Sequence, residues 1–255
     1  MSGRRNEILR EIGLGPLWRL REAPPFGAGE PAAEAPDDSP PATPATPSPA
    51  GAPGAVARAD AISGMDWPQL AEATAACRAC RLCERRKQAV LGVGDLQPQV
   101  LFVGEGPGAD EDERGEPFVG QAGKLLDAML GSIGLARGRG VYIANTVKCR
   151  PPENRTPQAE EMTACFPYLK RQIALLHPRL IVALGRPAAQ VLLDAEVKIG
   201  AARGRVFDHD GIPLVVTYHP AYLLRNLPDK AKAWEDLVFA RRMASSVAPA
   251  NPPVA

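Results

Sequence analysis

The sequence predicts an α/β protein: a three-layer α/β/α domain with a central, four-stranded, mostly parallel sheet, preceded by a disordered N-terminal tail. Two observations support this fold class. From Val100 onward, short apolar runs alternate with longer amphipathic runs, as strands and helices do in parallel sheets. Upstream, residues 23–60 contain ten prolines, twelve alanines and one aromatic residue, a composition that cannot form a packed core.

Eight elements make up the predicted domain. The apolar runs predict strands at 100–104, 141–145, 180–185 and 214–219. The amphipathic runs predict helices at 124–134, 159–176, 187–195 and 229–244. Ligands of such folds bind in the loops beyond the carboxyl ends of the strands. The loops that begin at Gly104, Asn145 and His219 are therefore the candidates for a functional site.

The chain is expected to divide into four parts. These are a short amphipathic peptide (1–22), a disordered Pro/Ala-rich linker (23–60), the α/β domain (66–244) and a disordered C-terminal tail (245–255). The peptide ends in an apolar cluster around Trp18. This cluster suits either a frayed terminus or docking on a protein partner through the tryptophan.

Charge and hydropathy narrow the class of protein. The first 60 residues carry six arginines and eight acidic residues, and the remainder has a net charge of +3, so the predicted domain is mildly basic. No run reaches the roughly 18 apolar residues of a membrane span, and the N-terminus lacks the apolar core of a secretion signal. We therefore expect a cytoplasmic protein with no membrane association.

Three of the five cysteines lie within seven residues, in the sequence CRACRLC at 77–83. The two-residue spacing suits a metal or iron-sulfur site, a redox pair or a disulfide. Cytoplasmic thiols stay reduced, which favours a metal or iron-sulfur site over disulfides. The remaining cysteines, Cys149 and Cys165, are distant in sequence.

The loop after the first strand, GEGPGA at 104–109, satisfies the G-x-G-x-x-A pattern of dinucleotide-binding proteins. Electrostatics argue against a nucleotide, because four consecutive acidic residues at 110–113 would face its pyrophosphate. Pro107 also lacks a backbone donor that a phosphate turn requires. The glycines, Glu105 and the later Phe118 suit a planar, neutral ligand better.

Three long motifs together resemble one known family. They are GEGPG followed by PFVG and AG, then Asn145 with VKCRPPENR, and finally HPAYLLR. In this order they closely resemble the family 4 uracil-DNA glycosylases, the iron-sulfur branch of the uracil-DNA glycosylase superfamily. The resemblance extends from about Cys77 to Met243 and excludes the tail. It implies a monomeric base-excision repair enzyme of the bacterial cytoplasm or nucleoid that acts on uracil in single- or double-stranded DNA.

The resemblance implies a 4Fe-4S cluster held by Cys77, Cys80, Cys149 and Cys165. Sixty-eight residues separate the second of these from the third, and fifteen separate the third from the fourth. A zinc ribbon more often ends in a second close pair, so the spacing favours iron-sulfur. Cys83 is then the spare thiol, interpreted as a small packed residue. In the family the cluster is structural.

The resemblance also assigns the chemistry. The uracil nucleotide is flipped out of the DNA, and its N-glycosidic bond is hydrolysed to leave an abasic site. His219 is the expected hydrogen-bond donor to uracil O2. Glu105 is expected to position water and to stabilise the cationic sugar of the transition state.

The resemblance assigns base recognition and DNA contact to a second group of residues. Phe118 is expected to stack on the base, Asn145 to pair with its N3–H and O4, and Glu111 to crowd its C5 edge and exclude thymine. Gly106 and Asn154, within the same motifs, complete the substrate-binding set. Leu223 and Leu224 are expected to enter the duplex as a wedge, with Arg225 on a phosphate.

Several of these residues also suit structural roles, and the chain also suits two other functions. Glu105 and Asn145 suit loop caps, and Phe118, Leu223 and Leu224 suit core positions. A sibling branch of the superfamily binds uracil-DNA irreversibly through a histidine in an inserted loop, but residues 148–157 contain neither histidine nor insertion. A non-enzymatic nucleic-acid adaptor would keep the fold without needing Glu105 and Asn145 together.

Overall fold

A mixed sheet of six strands organises the computed structural model of the protein, which describes residues 53–246. The strand order is β1-β3-β2-β4-β6-β5. The bounds are β1 Val93–Gly94, β2 Val100–Gly104, β3 Val141–Asn145, β4 Leu180–Leu184, β5 Val206–His209 and β6 Ile212–Thr217. The four inner strands are parallel, and the two edge strands pair antiparallel to them.

The four predicted strands are confirmed, whereas the predicted count of four is corrected to six in the described part of the chain. The additional strands are the edges. β1 has only two residues, and β5 is mostly exposed, so neither produces an apolar run in the sequence. Strand β6 ends at Thr217 because His219 caps the helix that follows.

Helices cover both faces of the sheet. Their bounds are α1 Pro53–Ser63, α2 Trp67–Ala76, α3 Ala109–Arg114, α4 Gln121–Ser132, α5 Ala159–Leu176, α6 Arg186–Leu193, α7 Ile199–Ala202, α8 Pro220–Arg225 and α9 Asp229–Ser246. Two short 3₁₀ helices span Arg81–Glu84 and Pro152–Asn154. The predicted helices agree with α4, α5, α6 and α9 to within a few residues at each end.

Strand β2 shows why the domain has three layers. Successive side chains of a strand point to opposite faces of the sheet. Val100 and Phe102 accordingly pack in one core with α4, α8 and α9. Leu101 and Val103 pack in a second core with α5 and α6. The predicted α/β/α architecture is therefore confirmed.

Helix α1 lies partly where a linker was predicted. Residues 53–60 are helical, and Ile62 is 2% exposed in a third core that also contains Leu70, Cys149 and Cys165. The Arg58 guanidinium donates to the Ala164 carbonyl of α5 at 2.6 Å. Composition misled the prediction because alanine is common in linkers yet is also the best helix former.

The other predicted segments, namely the N-terminal peptide, the linker before residue 53 and the tail after residue 246, lie outside the described residues. Within residues 53–246, no helix has both the length and the apolar character needed to span a membrane.

The third core provides a stability test of α1. Ile62→Ala removes a buried side chain, so we expect the free energy of unfolding to fall by about 2–4 kcal/mol. Val56→Ala, at a position on the same helix that is 56% exposed, should change it by less than about 0.5 kcal/mol. Urea denaturation, monitored by circular dichroism, measures the free energy of unfolding of both variants. Equal, small effects would show that α1 does not pack on the domain.

Candidate functional site

A cleft of about 520 Å³ opens at the carboxyl ends of β2, β3 and β6. Most of the predicted site residues line it: Glu105, Gly106, Glu111, Phe118, Asn145, Asn154, His219 and Arg225. They come from three segments that are distant in sequence and that lie at or beyond the ends of these strands, as expected for ligand sites of a parallel sheet.

Asn145 is the last residue of β3 and is 2% exposed. Its side-chain oxygen Oδ1 is buried and has no hydrogen-bond partner among the described residues. Gly104 lies directly opposite in the pairing with β2. A Cβ atom at Gly104 would come within 2.5 Å of both this Oδ1 and the Phe118 ring, so the floor of the cleft requires glycine there.

Phe118 is 6% exposed and packs against His219, with ring centroids 5.5 Å apart and an interplanar angle of 34°. Its φ of 56° is unusual for a residue that is not glycine. The Arg137 guanidinium helps to hold this backbone, donating to the carbonyls of Pro117 and Phe118 at 2.8 Å each. Arg137 was missed from the sequence because it lies outside every motif.

His219 caps the N-terminus of α8. Its Nδ1 accepts a hydrogen bond from the Ala221 amide at 3.1 Å. In the neutral ring the proton must therefore reside on Nε2. Burial, with the nearby positive charge of Arg225, lowers the pKa of His219 to about 4. The imidazole is consequently neutral at physiological pH and offers a hydrogen-bond donor at Nε2.

Glu105 is the first residue after β2 and is partly buried. Burial raises the pKa of its carboxyl group, opposed by a hydrogen bond from Thr156 and by the charge of Arg186. Its main-chain oxygen accepts from Thr146 Oγ1 at 2.5 Å and from the Val147 amide at 3.2 Å. These bonds join the loop that follows β2 to the loop that follows β3.

Glu111 organises the loop between α3 and α4. Its Oε1 accepts from the amides of Val119 at 2.9 Å and Gly120 at 3.0 Å, and its Oε2 accepts from the Gly108 amide at 3.0 Å. The carboxylate is 8% exposed and still lines the cleft. It therefore shapes the wall of the cleft through the backbone it holds.

Two further predicted residues form the rim. A Cβ atom at Gly106 would lie 2.8 Å from the Val147 side chain, so this position has little room for a larger residue. Asn154 is exposed, has a φ of 57°, and accepts from Arg150 Nε at 2.8 Å through its Oδ1.

The segment after His219 is a helix, α8, and this changes the assignment of its leucines. Leu223 is 1% exposed in the core beneath the sheet, so its prediction as a DNA contact is corrected: the side chain is not available to a duplex. Leu224 is 42% exposed, and Arg225 is exposed at the rim of the cleft. A helix separates adjacent residues onto different faces, which a loop interpretation could not foresee.

All five cysteines line a second, small pocket, formed by the segment after α2, the loop after β3 and helix α5. Arg86 Nη1 donates to Cys149 Sγ at 2.8 Å, and the Lys148 amide donates to Cys165 Sγ at 3.3 Å. Burial raises the pKa of Cys165 to about 12. We call this group of thiols the cysteine centre.

Within residues 53–246, no three His, Cys, Asp or Glu side chains lie close enough together to hold a single metal ion. An iron-sulfur cluster makes a different demand, because each thiolate binds a different iron and the ligands stand farther apart. Cationic and amide donors to the sulfur atoms also match the hydrogen bonding that surrounds such clusters.

Comparisons with known proteins show what the chain is similar to. The model of the Uracil DNA glycosylase superfamily matches residues 91–238. The chain is 45% identical over 184 residues to the Type-4 uracil-DNA glycosylase of Pyrobaculum aerophilum, covering 69% of this chain and 93% of that protein. It is 48% identical over 143 residues to the Type-4 enzyme of Thermotoga maritima, covering 55% and 74%. A Type-5 uracil-DNA glycosylase of Pyrobaculum aerophilum is 35% identical over 146 residues, covering 51% and 64%.

The close packing at Gly104 generates a prediction. Gly104→Ala should lower the free energy of unfolding by about 1–3 kcal/mol, because the new methyl group overlaps Asn145 and Phe118. Gly131→Ala, in α4 with nothing within 4 Å of the added atom, should raise it by up to about 1 kcal/mol. Chemical denaturation distinguishes the two. A Gly104→Ala protein as stable as the wild type would contradict the packing described for the cleft floor.

Proposed function

The chain belongs to the uracil-DNA glycosylase superfamily, and from this premise we propose that it excises uracil from DNA by hydrolysing the N-glycosidic bond. The product is an abasic site for later repair steps. The enzyme would act in the cytoplasm as a monomer on uracil-containing DNA, single- or double-stranded.

The observation that carries this proposal is the unpartnered oxygen of Asn145. A buried acceptor without a donor costs about 1–3 kcal/mol, so its presence in a cleft supports a ligand that supplies the donor. Uracil N3–H is such a donor, and the side-chain amide of Asn145 can donate to O4 in return. Cytosine presents an acceptor at N3 and a donor at the exocyclic position, so it would oppose both contacts.

His219 supports the departure of the base. The uracil leaves as an anion whose charge develops on O2, and a hydrogen bond there stabilises the transition state. The hydrogen bond from Ala221 leaves the donor of the neutral ring at Nε2. Because the pKa of His219 is lowered to about 4, the ring would act by hydrogen bonding rather than by donating a full proton at neutral pH.

Glu105 would act on the opposite charge. As the bond breaks, the sugar becomes an oxocarbenium-like cation, which a carboxylate stabilises strongly in a partly buried site. The same carboxylate can orient the attacking water. Since the Glu105 carbonyl is bonded to Thr146 and Val147, which directly follow Asn145, these bonds would restrict the spacing between the groups for base and sugar.

The remaining contacts bind and select the nucleotide. Phe118 would stack on the flipped base, and Glu111, with Gly106 and Asn154, would shape the pocket around its edge. Arg225 would contact a phosphate. With Leu223 in the core, the proposed wedge reduces to Leu224.

Cys77, Cys80, Cys149 and Cys165 would hold the 4Fe-4S cluster. Its negative charge would suit this pocket, because Arg86 donates to Cys149 and the Lys148 amide donates to Cys165. Both of these donor residues also have cationic side chains. When bound, the cluster would supply a cross-link between chain segments and take no part in bond cleavage. Cys83 would remain a spare thiol, although it lines the same pocket.

A direct assay tests the function. The chain is incubated with uracil-containing oligonucleotides without added metal, and alkali then cleaves any abasic site. We expect strand cleavage at uracil and none at cytosine or thymine. A folded, iron-loaded protein that leaves uracil intact while binding the DNA would instead support the adaptor alternative.

Variants of Asn145 test base recognition. Asn145→Ala should reduce single-turnover excision on the order of 100-fold or more, because a buried pair of hydrogen bonds is lost. Asn145→Asp should also lose uracil excision, since a carboxylate cannot donate to O4. Affinity for the DNA backbone, measured with an abasic-site analogue, should remain within a few-fold. Wild-type rates in both variants would mean that Asn145 is a loop cap.

Variants of the cysteines test the cluster. Protein purified anaerobically should contain about four irons per chain. Cys77→Ser should lose most of this iron and lower the melting temperature, whereas Cys83→Ser should retain both. Iron analysis and calorimetry measure these quantities. Loss of iron in Cys83→Ser but not in Cys77→Ser would overturn the ligand assignment.

A further inference from the structure

Lys148 is an unusual residue, because its side chain is 1% exposed and yet carries an ammonium group. Nζ donates to the main-chain oxygen of Asn145 at 2.7 Å and to Gln172 Oε1 at 2.6 Å. Buried lysines are rare without specific partners, since removing the charge from water is costly. The ammonium therefore belongs to a specific arrangement rather than to general packing.

Gln172, on α5, is fully buried and held in one orientation. Its Nε2 donates to the Leu91 carbonyl at 2.9 Å and lies 3.4 Å from Tyr142 Oη. This leaves Oε1 as the acceptor for Lys148. The position of Nζ is thus set by α5, and the bond to Asn145 attaches the end of β3 to that helix.

The main chain of Lys148 contacts the cysteine centre. Its amide donates to Cys165 Sγ at 3.3 Å, its carbonyl accepts from the Val90 amide at 2.7 Å, and the next residue is Cys149. One residue therefore contacts both the cysteine centre and the strand end that carries the unpartnered oxygen.

We propose that Lys148 is a positioning residue for base recognition: its ammonium group fixes the carbonyl of Asn145 and thereby aims the Asn145 side chain into the cleft, coupling it to the cysteine centre. This inference rests on the proposed function, and it assigns Lys148 no contact with uracil. A carbonyl displaced by a fraction of an ångström rotates the attached side chain, and hydrogen bonds to a base are sensitive to such shifts.

A purely structural lysine would behave differently. Its loss would lower stability, and the effect on excision would add to the effect of any other variant. A lysine that acts through Asn145 should have no further effect once the Asn145 side chain is absent. The two possibilities are separated by a double-mutant cycle.

The experiment uses the iron-loaded full chain with iron content measured for each variant. Lys148→Met should lower single-turnover uracil excision at least 10-fold, and leave affinity for DNA with an abasic-site analogue within about 3-fold. In the Asn145→Ala background, the same substitution should cost less than about 2-fold. Gln172→Met, which removes the second partner of Nζ, should reproduce a smaller loss with the same non-additivity and serves if Lys148→Met folds poorly.

Arg171→Met is the matched control. Arg171 is the neighbour of Gln172 on α5, and its Nε also donates to a main-chain oxygen, that of Met65, at 2.5 Å. It contacts neither Asn145 nor a cysteine in the hydrogen bonds it makes. Excision by this variant should remain within about 3-fold of the wild type. A loss in Lys148→Met that is equal in the Asn145→Ala background, or no loss at all, overturns the inference.

Amide hydrogen exchange gives a second readout that does not depend on activity. The amides of Thr146 and Val147 are bonded across to β2 and the loop after it, so they report on the end of β3. Lys148→Met should accelerate their exchange at least 10-fold, and Arg171→Met should not. Unchanged exchange in Lys148→Met would overturn the inference, whether or not the wild type excises uracil. Absence of uracil excision by the wild type would refute the proposed function and leave the exchange test valid.

Discussion

The in-register pairing of β2 with β3 is the constraint on which the rest of the site depends. It places Gly104 opposite Asn145, and the hydrogen bonds continue past the strand ends through Thr146 and Val147 to the carbonyls of Gly104 and Glu105. Successive strand residues point to opposite faces, so a slip of one residue would turn the Asn145 side chain away from the cleft. The same slip would displace the loop that carries Cys149.

The electrostatics of the cleft follow from burial. Asn145 keeps an unpartnered oxygen, His219 is held neutral, and the pKa of Glu105 is raised. The unpartnered oxygen and the desolvated carboxylate are unfavourable for the protein alone, and each would become favourable if a base with a hydrogen-bond donor and a sugar with developing positive charge occupied the cleft. The neutral state of His219 costs the protein little at neutral pH. The cleft thus lowers the stability of the folded protein with groups that would stabilise the transition state of the proposed reaction, a common property of functional sites.

The sequence predicted the four inner strands and α5, because their apolar patterns differ clearly from their surroundings. The prediction missed β1 and β5, which are too short or too exposed to leave a pattern. It placed Leu223 in a loop because the helix Pro220–Arg225 has only six residues, too few for a clear helical period. The motifs located most of the residues that line the cleft. The supporting contacts of Arg137 and Gln172 could not be predicted, because they join residues that are distant in sequence and depend on tertiary packing.

The cleft and the cysteine centre share the loop after β3, and this sharing gives the proposed cluster a physical role without any redox chemistry. Cys77 and Cys80 precede β1, whereas Cys149 and Cys165 follow β3, so ligation would join segments that are separated in sequence by the first three strands. A cross-link of that span restricts the unfolded chain and limits movement of the folded loop. Because Lys148 lies between the cysteine centre and Asn145, a restraint applied at the thiols would reach Asn145, the proposed base-recognition residue, through two hydrogen bonds: the Lys148 amide to Cys165 and the Lys148 ammonium to the Asn145 carbonyl. A recognition group held in one orientation would lose less entropy when the base enters, and its amide could not turn to pair with cytosine, so a structural cluster could improve discrimination without touching the base.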